Sequence, residues 1–147
     1  MRNQFSIIFS LLLITFAFSC KNQGEAEKET SESTVQMKEV VAVHDEMMPK
    51  MSTIGELTGK LEAEMKLAKK DSIYKDAIAD LKEANVAMMD WMRNFGGDFT
   101  FEEINKGKAL SEEKEQLLDG YEKSVNEMKE KMNSAIEKGR RVLNKNN

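Results

Sequence analysis

The chain has 147 residues, 33% of them charged, with a mean hydropathy of −0.56 and a formal net charge of −4. That length suits one domain, and the acidic balance repels phosphate backbones, which argues against nucleic acid as a partner. A single cysteine leaves no disulfide framework and no zinc–thiolate site.

Residues 1–19 read as a bacterial secretion signal, with Arg2 as the basic start, "FSIIFSLLLITFAF" as the apolar stretch, and small residues ahead of Cys20. Its 14 apolar-stretch residues fall short of the ~20 that a membrane-crossing helix needs. The "AFSC" segment resembles a lipobox, which implies that Cys20 becomes the acylated N-terminus, as in a palmitate-bearing lipoprotein. Each methylene buried in lipid contributes ~0.8 kcal/mol, so several acyl chains would anchor the protein firmly. Lys21 is not the aspartate that retains some lipoproteins at the inner membrane. The expected location is therefore the outer membrane of a bacterial envelope, with the periplasmic and surface faces both open. Losing the signal removes one base, Arg2, and makes the mature chain one unit more acidic.

Residues 20–34 follow as a lipidated cysteine and a disordered tether. The segment "KNQGEAEKETSEST" carries no large apolar side chain and cannot offset the entropy of its own ordering.

From Val35 onward apolar residues recur every three or four positions, the period of a helix. Met37, His44, Met51, Thr58 and Met65 lie seven apart, interleaved with Val40, Met47, Ile54, Leu61 and Ala68, a heptad seam that predicts one helix over 34–70, capped by Ser33 or Thr34. Pro49 interrupts it chemically, because its ring clashes with the preceding turn and it has no N–H. In this register Pro49 faces outward and the phase continues past it, which predicts a kink rather than a stop.

Asp71 and Ser72 offer cap chemistry for a second helix. Its seam is Tyr74, Ala77, Leu81, Ala84, Met88, Trp91 and Phe95, widened by Ile78 and Met92, and "FGG" at 95–97 is the expected end. In the connection that follows, Phe99 and Phe101 read as apolar anchors, and "TFEE" at 100–103 matches a capping box. A third helix is expected from Ser111, with Leu118, Tyr121, Val125, Met128, Met132, Ala135 and Val142 as its seam and Ile136 and Leu143 beside it. Gly139 should weaken that helix by ~1 kcal/mol relative to alanine. The runs "EEKE" and "KGRR" complement its dipole. The expected fold is all-α: over residues 35–147, an antiparallel up-down-up three-helix bundle of long, coiled-coil-like helices, the first kinked at Pro49.

Two segments, "HDEMMPKM" at 44–51 and "MMDWMRNF" at 88–95, carry a family likeness. They resemble the paired signatures of small Bacteroidota lipoproteins labelled viral A-type inclusion protein, over residues 37–95. What the resemblance implies is a helical lipoprotein of uncharacterised activity.

Folding the first helix back on the second brings the two signatures together, with residue 51 near 91 and residue 47 near 95. His44, Met47, Met48 and Met51 stand at i, i+3, i+4 and i+7 on one helix, and Met88 and Met92 can meet them from the other. Thioethers and imidazole are ligands for Cu(I) or Ag(I) and need no deprotonated thiol. The competing reading is packing, since methionine fills irregular core space beside a kink. His44 as a core histidine would bond a carboxylate or carbonyl, with Asp98 as candidate. Haem fits less well, because one histidine and no attachment motif are present. Trp91 sits on the seam, which argues for burial over service as a sugar or peptide platform. The sequence shows no nucleophile–base pairing and no glycine-rich phosphate loop. The expected function is a non-enzymatic envelope lipoprotein whose helices act through a protein partner or self-association, with no resident cofactor. The alternative is a Cu(I)/Ag(I) binder.

Overall fold

The computed structural model describes residues 31–68 and 71–145. The signal, Cys20 and the tether up to residue 30 lie outside the described residues. Helices are the sole regular elements among the described residues: α1 (Glu32–Met47), α2 (Lys50–Ala68), α3 (Asp71–Asp98), α4 (Phe101–Lys106) and α5 (Glu112–Asn144). The chain is all-α, as its apolar period requires, and no described helix is long and apolar enough to cross a membrane.

Helix α1 begins three residues before Val35. Its cap is Ser31, whose hydroxyl accepts the Thr34 N–H at 3.2 Å, while Ser33, an expected cap, is buried inside the first turn. At the proline the expected continuous helix is two helices with a turn at Met48 and Pro49 between them. The Met48 N–H still reaches the His44 carbonyl at 3.0 Å, and Met51 N–H donates to Met48 O at 3.1 Å. Pro49 has no N–H to offer the Asp45 carbonyl, so the ladder fails where the chemistry requires. Burial nonetheless keeps its phase across the turn: Val40 and Met47 before it, Ile54 and Leu61 after it, all lie in the core.

Polar pairs along the helix edges show how the elements run. Gln36–Asp119 (2.8 Å), Lys129–Glu46 (2.7 Å) and Lys50–Asn133 (2.8 Å) each span 83 residues, so α1 and the start of α2 follow α5 in the same direction. Along α3 and α5 the numbers run oppositely: Asp80 meets Lys138, Glu83 meets Lys131, Trp91 meets Ser124 and Asp98 meets Tyr121. Lys82 of α3 reaches back to Glu62 of α2 at 2.8 Å.

The seams expected on α3 and α5 are buried throughout, with Met92 and Leu143 half-buried at the margin. On α2 the seam rotates: Met51, Thr58 and Met65 are half-buried, and Leu57 is buried instead. A straight helix drifts ~20° per heptad from a strict seven-residue repeat, which moves the buried stripe sideways. Helix α3 runs through the expected end at 95–97 to Asp98, with Gly96 and Gly97 helical; among the described glycines only Gly107 has positive φ. Phe99 N–H bonds the Phe95 carbonyl at 3.1 Å and the Phe99 ring is buried, so packing carries the helix past its glycines. Phe101, the other expected anchor, is exposed beneath Lys106.

The capping box forms as read. Thr100 Oγ1 accepts from Glu103 N–H, the Glu103 carboxylate accepts from Thr100 N–H at 2.7 Å, and Gly107 closes α4 in the left-handed region at φ 64. Lys114 of α5 adds a 2.7 Å ion pair to the buried Glu103. The Lys114 ammonium, then the Thr100 N–H, hold the Glu103 carboxyl down at about 2, against an ordinary 4.5. A depressed folded-state value stabilises the fold above the unfolded value, and that contribution drains away as pH falls from 4.5 toward 2. Glu103→Gln is expected to cost about 1–2 kcal/mol at neutral pH. Urea melts of the two proteins should converge as the solution is acidified through that window; a constant gap would refute the assignment.

Candidate functional site

The site begins where α1 parts from α3. Helix α1 lies along α5, and α3 lies along α2 and α5. Between α1 and α3 stands a groove of about 210 Å³, walled by Val41, His44 and Asp45 on one side, Trp91, Met92, Phe95 and Gly96 on the other, and Ile104 of α4. Helical spacing explains the walls: Val41, His44 and Asp45 share one face of α1, and Trp91, Met92 and Phe95 one face of α3.

An aromatic stack forms the floor. The His44 ring lies on Trp91 with centroids 5.4 Å apart and planes 19° from parallel, and Phe95 stacks on Trp91 at 4.7 Å. Tyr121 of α5 meets Trp91 and Phe95 edge-on, an arrangement that matches ring edges to ring faces. Trp91 Nε1 donates to Ser124 Oγ at 3.1 Å, and the Ser124 hydroxyl donates in turn to the Tyr121 carbonyl. Tyr121 donates its own hydroxyl to Asp98. Burial first, and the Asp98 carboxylate second, raise the phenol above its usual value. The indole is therefore held on its rim and on its face.

His44 differs from what the sequence suggested. Its expected partner Asp98 is taken by Tyr121, because the extension of α3 carries Asp98 toward α5; the His44 Nδ1 instead faces Asp45 Oδ1 at 3.0 Å. A carboxylate only accepts, so Nδ1 carries the proton in that bond. The other ring nitrogen, Nε2, is buried and has no hydrogen-bond partner.

The methionines separate into three groups. Met47 and Met88 are fully enclosed in the core; Met51 and Met92 are half-buried against it, and Met92 alone of the four lines the groove. Met48 is 38% exposed, outside the enclosed layer expected for it, since it follows Met47 by a rotation of one residue. The six residues thus do not form one layer: His44 and Met92 share the groove, while Met47 and Met88 pack. Sequence reasoning missed Asp45 as the histidine's partner, Trp91 as its stacking surface and Ile104 as the end wall. Asp45 is visible as the adjacent carboxylate; Ile104 arrives from α4, a 6-residue helix too short to leave a periodic trace. Among the described residues no group of three His, Cys, Asp or Glu side chains could hold a metal ion. Set against family models, curated proteins and solved structures, the chain matches none of them.

Proposed function

We propose that this chain is a membrane-anchored, non-enzymatic lipoprotein of the bacterial envelope, akin to the small Bacteroidota lipoproteins it resembles, and that its helices serve as an interaction module. In this reading Cys20 carries the acyl chains at the outer membrane. Helices α1 and α2 act as one rod bent at Pro49, which with α3 and α5 completes an up-down-up three-helix bundle.

The observation that carries the reading is the contrast between helix edges. The edges of α5 are closed by polar pairs to α1, α2 and α3. The α2–α3 edge starts with Glu62–Lys82, and one and two turns further along α3 stand Val86 and Met89, 54% and 48% exposed. An antiparallel hairpin keeps the sum of facing numbers nearly constant, which sets Gly59 and Gly55 beside them; neither glycine has anything within 4 Å of where a Cβ would project. Exposed apolar side chains beside a bare helix ridge suit the close approach of another helix. A second copy of the chain is the simplest partner. Sedimentation equilibrium of residues 31–147, which contain the whole described core, should give a monomer–dimer equilibrium in the micromolar range. Val86→Glu with Met89→Glu should abolish it while leaving the melting temperature in place. A protein that stays monomeric at millimolar concentration would refute self-association.

A further inference from the structure

We propose that the groove between α1 and α3 is a binding site for one soft monovalent cation, Cu(I) or Ag(I), held by His44 Nε2 and Met92 beside Trp91. His44 Nε2 is a buried ring nitrogen with no partner, which is costly, and native structures rarely leave one so without a reason. Asp45 fixes the proton on Nδ1, which in the neutral ring points the Nε2 lone pair away from Asp45. A carboxylate behind the far nitrogen is the usual support of a metal-ligating histidine. The groove that His44 lines is apolar in Val41, Phe95 and Ile104, and Met92 and Trp91 line it too.

These donors choose the ion. A lone imidazole with a thioether is too poor in charge and oxygen for Ca²⁺ or Mg²⁺ and lacks the four-ligand set of structural Zn²⁺. Cu(I) and Ag(I) accept imidazole and thioether at low coordination number. Thioether side chains have three flexible torsions, so Met92 can adjust to the ion without moving a helix. Met47 and Met88, enclosed in the core, are left to packing.

Trp91 is the only tryptophan of the chain, so its emission reports the site directly. Silver nitrate is titrated into the full chain carrying Cys20→Ser, which removes the one competing thiol, in detergent and chloride-free buffer, while Trp91 fluorescence and the methyl signals of ¹³C-methionine-labelled protein are followed. Saturable quenching at one equivalent is expected, with a dissociation constant below micromolar. The Met92 methyl should shift and the Met128 methyl, buried on α5, should not. His44→Gln and Met92→Leu should each weaken binding by about tenfold or more, whereas Met128→Leu should not change it. Circular dichroism melts establish that each variant folds, and the labelled Cys20→Ser protein assigns the ligands without any substitution in the groove. Unchanged Trp91 emission at excess silver would overturn the proposal. So would a Met92 methyl that stays fixed while others move, or equal affinity in the His44→Gln protein.

Discussion

Replacing Trp91 by alanine is expected to destabilise the protein by about 3–5 kcal/mol, the range for removing a large aromatic from a packed interior. The ring is shared: His44 and Phe95 stack on it, Tyr121 meets it edge-on, and its N–H satisfies Ser124. Alanine would open a void between α1, α3 and α5 and strip the floor from the groove. Trp91→Phe keeps a ring and loses the hydrogen bond, and should cost distinctly less. Circular dichroism in urea measures both, and a Trp91→Ala protein as stable as the parent would mean that the stack carries no weight in the fold.

A second large effect belongs to Leu81, fully buried at the crossing of α2, α3 and α5. Leu81→Ala should cost about 2–5 kcal/mol. The more discriminating prediction concerns its neighbour Gly139. A Cβ there would come within 3.2 Å of Leu81 Cδ1, 3.5 Å of Leu61 Cδ1 and 3.6 Å of Leu57 Cδ1, so glycine is where three leucines converge on α5. Alanine at 139 alone gains ~1 kcal/mol of helix propensity but presses on Leu81. With Leu81→Ala the pressure is gone and the new methyl enters the cavity. The double variant is expected to be more stable than the sum of the single changes by about 1 kcal/mol. Strict additivity in urea melts would contradict the contact.

The physical reasons for what the sequence did and did not disclose are local. Helices α3 and α5 each bury one continuous apolar face, so a seven-residue rhythm locates their core residues from Tyr74 to Phe95 and from Leu118 to Val142. The Thr100–Glu103 box is a contact three residues long and is readable on its own. Gly139 occupies a seam position but reads as a helix weakener, because nothing in one strand of letters shows the leucines arriving from α2 and α3. The methionines illustrate the same limit. Met47 and Met48 are adjacent and chemically identical, and one is enclosed while the other is exposed. Facing numbers set His44 against Asp98, yet a glycine pair that stays helical carries Asp98 to Tyr121. Phe99 and Phe101 are equally apolar, and only packing against Phe95 and Tyr121 selects Phe99.

Both the groove and the exposed edge exist because α1 and α2 follow α5 while α3 opposes it. Carbodiimide coupling of the unaltered protein followed by peptide mass spectrometry tests this most directly, because it joins carboxylates to lysines already in contact. Coupling of Lys129 to Glu46, Lys138 to Asp80 and Lys82 to Glu62 is expected, from pairs at 2.7, 2.6 and 2.8 Å. Coupling of Lys50 to Glu115, with Lys129 joined instead to Glu32 or Glu39, would place α1 and α2 against α5 in the reverse direction and contradict the account.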